Sequence, residues 1–356
     1  MNRSSRRYVA AHVALWISVP FLASIPAAAG VETTGPAAAG DDAVDHVVAI
    51  SIDGLNPTAI RQLGRSGAPN FYRMIDQGTG TLNARTMFSH TATLPNHVSM
   101  VTGRQVTQTG GHGVTFNTDN GSTVQATAGE PVASVFSVVH DAGGRTALYA
   151  AKTKFDLIDR SWNASSGEPD RVGSDQGQDK IDIYLRAEEQ TLTAALRTQL
   201  TNEPPAFALL HLALPDSAGH AQGFMSAPYV TSVADVDVLL GQVLDTIETD
   251  PYLSSHTTVL LTADHGGNGV THTDPRRRAN YRIPFLTWGT GVAEGANLYV
   301  RNDDRRDPGR TRPSHIGKQP VRNAEISNLA TDLLDLPAVP GSRFNPKQGL
   351  DVNRMR

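Results

Sequence analysis

Three apolar runs of this chain each lead to an aspartate that has other metal-ligating residue types near it. The runs are residues 46–53, 207–216 and 257–264; they end at Asp53, Asp216 and Asp264, and His220 and His265 follow closely. Such runs predict buried parallel strands, whose carboxyl ends form the sheet edge at which open α/β folds bind ligands. Carboxylate and imidazole groups at this density suit one or two divalent cations, with zinc as the first choice.

A threonine lies in the most specific segment of the chain, residues 91–103, which Gly-His-Gly at 111–113 follows. Thr93 precedes Pro95, which can occupy a first helical turn, so the hydroxyl is expected at a helix N-terminus, where backbone amides favour an anion. Bound to a cation, that hydroxyl would lose its proton near neutral pH and become a nucleophile. Taken alone, a threonine before Leu-Pro is more often a plain N-cap.

Strand-like and helix-like runs alternate along the remaining sequence, which predicts an α/β fold whose sheet has helices on both faces. Helices are predicted over 69–77, 131–142, 179–200, 229–249 and 323–336, and further strands over 145–151 and 283–288. With no internal repeat and no convincing linker, residues 45–356 are predicted to form a single domain. Residues 31–44, rich in Ala, Gly and Thr, are expected to be a flexible leader.

The first thirty residues have the three-part pattern of a secretory signal peptide: Arg6-Arg7, an apolar stretch from about residue 8 to 26, and a small-residue end. We therefore expect a secreted, periplasmic or extracellular protein, with both the general secretory and the twin-arginine routes open. The apolar stretch is short for a membrane span and is interrupted by His12 and two prolines, so no stable membrane span is expected after cleavage.

Composition limits the chemistry. The chain has no cysteine, so any metal must be held by Asp, Glu, His or Thr. Without the first thirty residues, which carry three Arg and no acid, 28 basic residues face 35 acidic ones and the net charge falls from −4 to −7. That balance argues against a nucleic-acid-binding domain. The arginines at 276–278 and 301–312 are interpreted as a solvated loop rather than an anion site, and the oligomeric state is not indicated.

Together, these motifs resemble those of the alkaline phosphatase superfamily, and within it those of the type I phosphodiesterase/nucleotide pyrophosphatase branch. The similarity extends from about Val47 to Gly341. It rests on Ser-Ile-Asp53-Gly, Thr93-Leu-Pro-Asn-His with Val-Thr-Gly103, Gly-His112-Gly, Asp216 with His220 four residues later, and Asp264-His265-Gly. The resemblance implies an alkaline-phosphatase-like fold with a central, mostly parallel sheet.

The resemblance also implies a site for two divalent metal ions, usually Zn²⁺. Thr93 would be the nucleophile, and Asn117 would donate a hydrogen bond to a phosphoryl oxygen. One metal would be held by Asp53, Thr93, Asp264 and His265, and the other by Asp216, His220 and a third histidine. Chemistry supports these roles, because two cations about 4 Å apart can hold the attacking and leaving oxygens of an in-line displacement.

The third histidine is where the sequence departs from the branch, since none follows the C-terminal helix. His272, seven residues past His265, resembles the last ligand of other superfamily members, and it is preferred over His315 in the arginine-rich loop. Three further histidines are interpreted as supporting or core residues: His97, His112 and His211. Lys152 and Lys154 are interpreted as surface charge, although some phosphonate-cleaving relatives have lysines there that grip the anionic end of the substrate.

The sequence thus predicts an exported bimetal hydrolase that cleaves small phosphate esters through a phosphothreonine intermediate, with diesters or pyrophosphates as first choice. A phosphomonoesterase or phosphonoacetate-type hydrolase is the alternative within enzymes. A non-catalytic, metal-containing extracellular binding module is the alternative outside them. A sulfatase is disfavoured because Thr93-Leu-Pro-Asn-His offers neither the Cys or Ser nor the Arg of the sulfatase motif.

Overall fold

An eight-stranded sheet lies at the centre of the part of the protein that this computed structural model describes, residues 43–169 and 177–353. The predicted signal peptide and most of the predicted leader lie outside these residues. The strands are β1 His46–Ile52, β2 Thr79–Arg85, β3 Thr146–Ala150, β4 Ile183–Arg186, β5 Phe207–Leu212, β6 Thr257–Thr262, β7 Arg282–Gly289 and β8 Ala296–Asn297. Their order across the sheet is β4-β3-β5-β1-β6-β7-β2-β8.

The sheet is mostly parallel. Strand β1 lies near its middle and pairs in parallel with β5 and β6, while β7 runs antiparallel to both β6 and β2. Every residue of β1, β5 and β6 is buried, which explains why these strands read as continuous apolar runs rather than alternating ones. The predicted fold class is confirmed.

Helices pack on the sheet in two groups. The helices are α1 Pro57–Gly67, α2 Pro69–Gln77, α3 Thr93–Thr102, α4 Val124–Ala128, α5 Val135–Asp141, α6 Asp156–Trp162, α7 Glu189–Asn202, α8 Leu214–Gln222, α9 Ala227–Thr249, α10 Pro251–His256, α11 Arg278–Tyr281, α12 Leu298–Arg301 and α13 Ile326–Leu333. Helices α1, α2, α7 and α8 pack around the long helix α9, whereas α3 and α5 pack on α13. Short 3₁₀ turns occupy Thr153–Phe155 and Asn323–Glu325.

Two predicted helices differ from the structure at their N-terminal ends. The predicted helix 179–200 was wrong over its first part, because residues 183–186 form strand β4 and pair with β3, and helix α7 starts at Glu189. Strand pairing therefore overrides the local helical pattern there. The predicted helix 131–142 begins only at Val135, where Ser134 and Ser137 form a reciprocal capping box.

Within the described residues, no helix combines the length and the apolar composition that crossing a lipid bilayer requires.

Candidate metal centre

Three buried aspartates meet at the carboxyl end of the central strands. Asp53 directly follows β1, Asp264 lies two residues after β6, and Asp216 lies in the first turn of α8, just past β5. All three side chains are almost fully buried. Because β1 lies between β5 and β6, neighbouring strands deliver the carboxylates to the same edge. Helix α8 also places His220 one turn after Asp216, with 3.4 Å between Nε2 and Oδ1.

Gly54 allows the end of β1 to approach helix α8 closely. Its φ is +72°, a left-handed conformation that favours glycine, and a Cβ at this position would lie 3.0 Å from both Cα and Cβ of Asp216. The glycine of the Ser-Ile-Asp-Gly motif therefore lets the end of β1 pack directly on the first turn of α8.

We predict that Gly54→Ala destabilises the protein more than Gly129→Ala does. Both glycines have a φ of +72°, but a Cβ at Gly129, which follows α4 in the left-handed helical region, would have no heavy atom within 4 Å. Gly129→Ala should therefore cost only the backbone term, about 1–2 kcal/mol, whereas Gly54→Ala must also push Asp216 away. Chemical denaturation of the two metal-free variants measures the difference. Equal losses would mean that the contact with Asp216 is unimportant.

Three histidines point ring nitrogen lone pairs at these carboxylates. The Nδ1 atoms of His265, His272 and His220 lie against the carbonyl oxygens of Gly266, Thr91 and Val270. Since a carbonyl only accepts, each Nδ1 carries the proton and each Nε2 presents a lone pair. The Nε2 atoms of His272 and His220 lie 3.1 Å apart. Burial lowers the pKa of both His265 and His272, which keeps these rings neutral.

One carboxylate oxygen of each aspartate has no hydrogen-bond donor. Oδ1 of Asp53, Oδ1 of Asp216 and Oδ2 of Asp264 are buried and accept no hydrogen bond from the described residues. Nε2 of His265 lies 3.4 Å from Asp53 Oδ1 and 3.2 Å from Asp264 Oδ2, while Nε2 of His272 lies 3.7 Å from Asp216 Oδ1. Facing lone pairs repel one another unless a proton or a metal cation lies between them.

Two groups of ligand atoms emerge from these distances. One comprises Asp53, Asp264 and His265, and the other comprises Asp216, His265 and His272. Carboxylate oxygens and imidazole nitrogens are ligands for Zn²⁺ and similar divalent ions. The residues present therefore fit a divalent-cation centre, and His220 adjoins the second group.

Thr93 adjoins the first group. It is the first residue of α3, it is buried, and its Oγ1 lies 3.5 Å from Nε2 of His265. The N-cap of α3 is Ala92, and the Thr93 hydroxyl makes no capping hydrogen bond, so the plain N-cap interpretation does not describe it. Asn117 accepts a hydrogen bond from the Leu94 amide at 2.9 Å through Oδ1, which holds its amide group beside the start of the same helix.

Lys152 was interpreted from the sequence as surface charge, and that interpretation was wrong. Its Nζ lies 2.7 Å from Asp53 Oδ2 and 2.6 Å from Asp216 Oδ2, and the side chain is only 19% exposed. The lysine follows β3, whose carboxyl end points to the same sheet edge as β1 and β5. That strand-end position was the available signal. Lys154 is half-buried, and burial followed by repulsion from Lys152 lowers its pKa, an effect that attraction to Asp53 partly offsets.

His211, interpreted as a core histidine, is buried in β5 and also holds Asp53. Its Nδ1 accepts from the Ala151 amide, so its Nε2 carries the proton and donates to Asp53 Oδ2 at 3.1 Å. Burial alone would raise the pKa of Asp53, but Lys152 and His211 outweigh it and hold that pKa well below its usual range. Asp264 lacks such partners: burial, then repulsion by Asp53 and Asp216, raises its pKa well above the usual range.

The remaining predicted residues lie around or away from the centre. Burial lowers the pKa of His97 to about 3, and its neutral ring donates to the Thr93 carbonyl at 2.8 Å and accepts from the Ser51 hydroxyl. His112 bonds the Ser99 hydroxyl of α3 at 2.9 Å. His315 instead contacts the rings of Phe88 and Phe344, outside the cluster of carboxylates.

We predict that Lys152→Met destabilises the metal-free protein by about 3 kcal/mol, because it leaves two buried carboxylates without their cation. The loss should shrink in the metal-loaded protein, since divalent ions then supply the positive charge. Thermal and chemical unfolding with and without metal measure both values. Lys154→Met is the matched control, because no carboxylate in the described part of the chain forms an ion pair with Lys154. Equal losses with and without metal would contradict the prediction.

Known proteins resemble this chain in sequence. The family model described as type I phosphodiesterase/nucleotide pyrophosphatase matches residues 47–318. The chain is 28% identical over 223 residues to mouse ectonucleotide pyrophosphatase/phosphodiesterase family member 1, covering 61% of this chain and 23% of that protein. It is 27% identical over 146 residues to GPI ethanolamine phosphate transferase 1 of Yarrowia lipolytica, covering 40% of this chain and 15% of that protein. The chain thus spans less than a quarter of these relatives.

Solved structures share the fold. Murine ectonucleotide pyrophosphatase/phosphodiesterase 5, as an inactive threonine-to-alanine variant in complex with AMP, superposes with a TM-score of 0.58 at 15% identity, covering 86% of this chain and 99% of that chain. The human protein of the same name gives a TM-score of 0.59 at 14% identity, covering 86% and 99%. The structural similarity shows the fold, whereas the family model, which matches most of the 356 residues, shows the family. This chain belongs to the type I phosphodiesterase/nucleotide pyrophosphatase family of the alkaline phosphatase superfamily.

Proposed function

We propose that the protein is a metal-dependent phosphoric ester hydrolase of the phosphodiesterase type, exported from the cell, with Thr93 as nucleophile. The observation that carries this proposal is the convergence of unpaired lone pairs from Asp53, Asp216, Asp264 and three histidines beside a buried threonine hydroxyl. A purely structural cluster of carboxylates would be satisfied by hydrogen-bond donors. We further propose two divalent ions, zinc foremost, and small phosphate esters as substrates.

The chemistry follows from the positions of the side chains. Divalent ions bound here would lower the pKa of the Thr93 hydroxyl and neutralise charge on the phosphoryl oxygens. The Thr93 hydroxyl gives its proton to water, and its oxygen forms a bond to phosphorus as the bond to the leaving oxygen breaks. The leaving oxygen takes a proton from water and departs as an alcohol. Water then attacks the phosphothreonine from the opposite side, which breaks the bond to Thr93 and returns its proton. Asn117 donates its Nδ2 hydrogen to a phosphoryl oxygen in both steps.

A phosphonoacetate-type hydrolase is the second candidate, and one observation favours it. Lys152 contacts two carboxylates of the metal centre, and the half-buried Lys154 lies close enough to feel their charge. A substrate with a second anionic group would therefore meet ammonium charges beside the phosphoryl site. A simple diester makes no use of two such charges.

Turnover of three substrates distinguishes a phosphodiesterase from a phosphomonoesterase and from a phosphonoacetate-type hydrolase. The substrates are bis-p-nitrophenyl phosphate, p-nitrophenyl phosphate and phosphonoacetate, and the metal content of the protein is measured in the same samples. Two metal ions per chain and preference for the diester support the first proposal. Preference for phosphonoacetate or for the monoester supports the alternatives. Bound metal without turnover of any substrate supports a binding module, and a protein that takes up no divalent metal would contradict the mechanism.

A further inference from the structure

A second concave site lies outside the metal centre. Its cavity of about 560 Å³ is bordered by β2, the start of α1, helix α11 and the loop at 307–310, and none of the residues of the metal centre lines it. A volume of this size is in the range of small-molecule binding pockets.

Arginines from three separate segments line this cavity. They are Arg61 of α1, Arg278 of α11 and Arg310 of the loop. In the described part of the chain no carboxylate forms an ion pair with any of them, and Nε of Arg278 is buried without a hydrogen-bond acceptor. The acid in the lining, Asp307, accepts hydrogen bonds from Asn83 and the Gly309 amide instead.

Two further arginines add to the positive charge behind the cavity wall. Arg282 is 5% exposed, and its Nη2 donates to the neutral side chains of Asn56 and Thr58, while its Nε has no acceptor. Burial, followed by repulsion from Arg278 and other arginines, lowers the pKa of Arg282 to about 10. Arg85 is 1% exposed and donates to carbonyl oxygens and to Asn83 rather than to a carboxylate. Five arginines at and behind the lining thus face one lining acid, Asp307, and their mutual repulsion favours binding of a further anion.

The loop that carries Arg310 is held in place. Arg85 donates to the carbonyls of Gly309 and Thr311 at 2.9 Å and 3.0 Å, and the Tyr281 hydroxyl donates to the Arg310 carbonyl at 3.0 Å. A cationic side chain on a fixed backbone loses less freedom when it binds a ligand, so the arrangement suits recognition.

We propose that this cavity binds a phosphorylated small molecule, at a site separate from the metal centre. Guanidinium groups present forked pairs of donors that match phosphate oxygens, and several converging guanidiniums suit a dianion better than a single carboxylate. Because the three arginines line one cavity of about 560 Å³, a small ligand fits it better than an extended polyanion does. Arg276 and Arg310 are exposed, as the sequence interpretation of a solvated loop expects, whereas Arg278 is half-buried. The proposal gives Arg278 and Arg310 a ligand in addition, while Arg276 pairs with Asp274.

Arginine-specific modification tests the site without any turnover. The metal-loaded protein is treated with phenylglyoxal in inorganic phosphate or in sodium chloride of equal ionic strength, and mass spectrometry follows each arginine. At about ten times the dissociation constant, phosphate should slow modification of Arg61 and Arg310 about tenfold. Arg276 should react equally in both salts. Equal rates for Arg61 and Arg310 in the two salts would overturn the proposal.

A double variant separates this site from phosphate bound at the metal centre. In Arg61→Gln/Arg310→Gln, phosphate should no longer protect Arg278, whereas the matched variant Arg276→Gln should retain full protection of Arg278. Persistent protection in the double variant would overturn the proposal. Malonate, a dicarboxylate, is the third salt: equal protection by malonate would overturn the assignment of the ligand as a phosphate. None of these readouts depends on whether the metal centre hydrolyses esters.

Discussion

Thr93→Ala is expected to reduce diester turnover on the order of 10⁴-fold, the scale seen when a catalytic nucleophile is removed. The substitution deletes the only hydroxyl carried by the first turn of α3, whose Oγ1 lies 3.5 Å from Nε2 of His265. The aspartates and histidines remain, so metal content should stay near that of the unaltered protein. Steady-state rates, together with metal analysis of the same samples, measure both quantities.

Two variants control this experiment. Thr93→Ser keeps a hydroxyl and should retain much of the turnover. Thr102→Ala makes the same chemical change in the same helix at another buried threonine, whose hydroxyl bonds the Val98 carbonyl, and it should leave turnover nearly unchanged. In the unaltered protein, acid quenching followed by mass spectrometry should detect a phosphate on the peptide that contains Thr93. Turnover of Thr93→Ala within tenfold of the unaltered protein would place the nucleophile elsewhere.

His272→Ala is expected to remove about one of two metal equivalents and to lower turnover by about 100-fold or more. Its Nε2 lies 3.1 Å from that of His220 and 3.7 Å from Asp216 Oδ1, and alanine leaves that position without a nitrogen ligand. Metal titration by calorimetry and elemental analysis after dialysis provide the measurement.

His315→Ala is the matched control, because His315 was the competing candidate for the third histidine. Its ring packs against Phe88 and Phe344, so the variant should keep both metal equivalents. Since the His272 ring also stacks on His265 with centroids 3.5 Å apart, unfolding of the His272 variant must be followed as well. Loss of metal from His315→Ala, with full retention in His272→Ala, would reverse the assignment.

The sequence predicted the central part of the fold well because both local and long-range signals agreed there. Helix α2 has the predicted bounds, with Pro69 in its first turn and Gly78 directly after it. The three apolar runs predicted that Asp53, Asp216 and Asp264 would meet, and the structure brings them together. Strand β4 was missed because its pairing with β3 involves residues more than 30 positions away, which no local pattern records.

Charged residues were harder to interpret than apolar ones. Lys152 and the cavity arginines resemble ordinary surface charge in sequence. Only the structure shows that Lys152 reaches two buried carboxylates and that the three arginines line one cavity. Lysine and arginine side chains are long enough to reach either solvent or a neighbouring carboxylate, so sequence position alone does not fix their environment. Aspartates at the ends of buried strands have shorter side chains and fewer alternatives.

His265 lies within reach of both groups of ligand atoms: its Nε2 is 3.4 Å from Asp53 Oδ1 and 3.9 Å from Asp216 Oδ1. An imidazole nitrogen has one lone pair, so the ring can serve only one cation at a time. If divalent ions bind both groups, an ion that engages His265 in one group would take that ligand away from the other, so the two groups would not fill independently. Asp216 and His272 would then still have the adjoining His220 for company. In a cobalt titration followed by absorption, the spectrum added by the first equivalent should therefore differ from the spectrum added by the second.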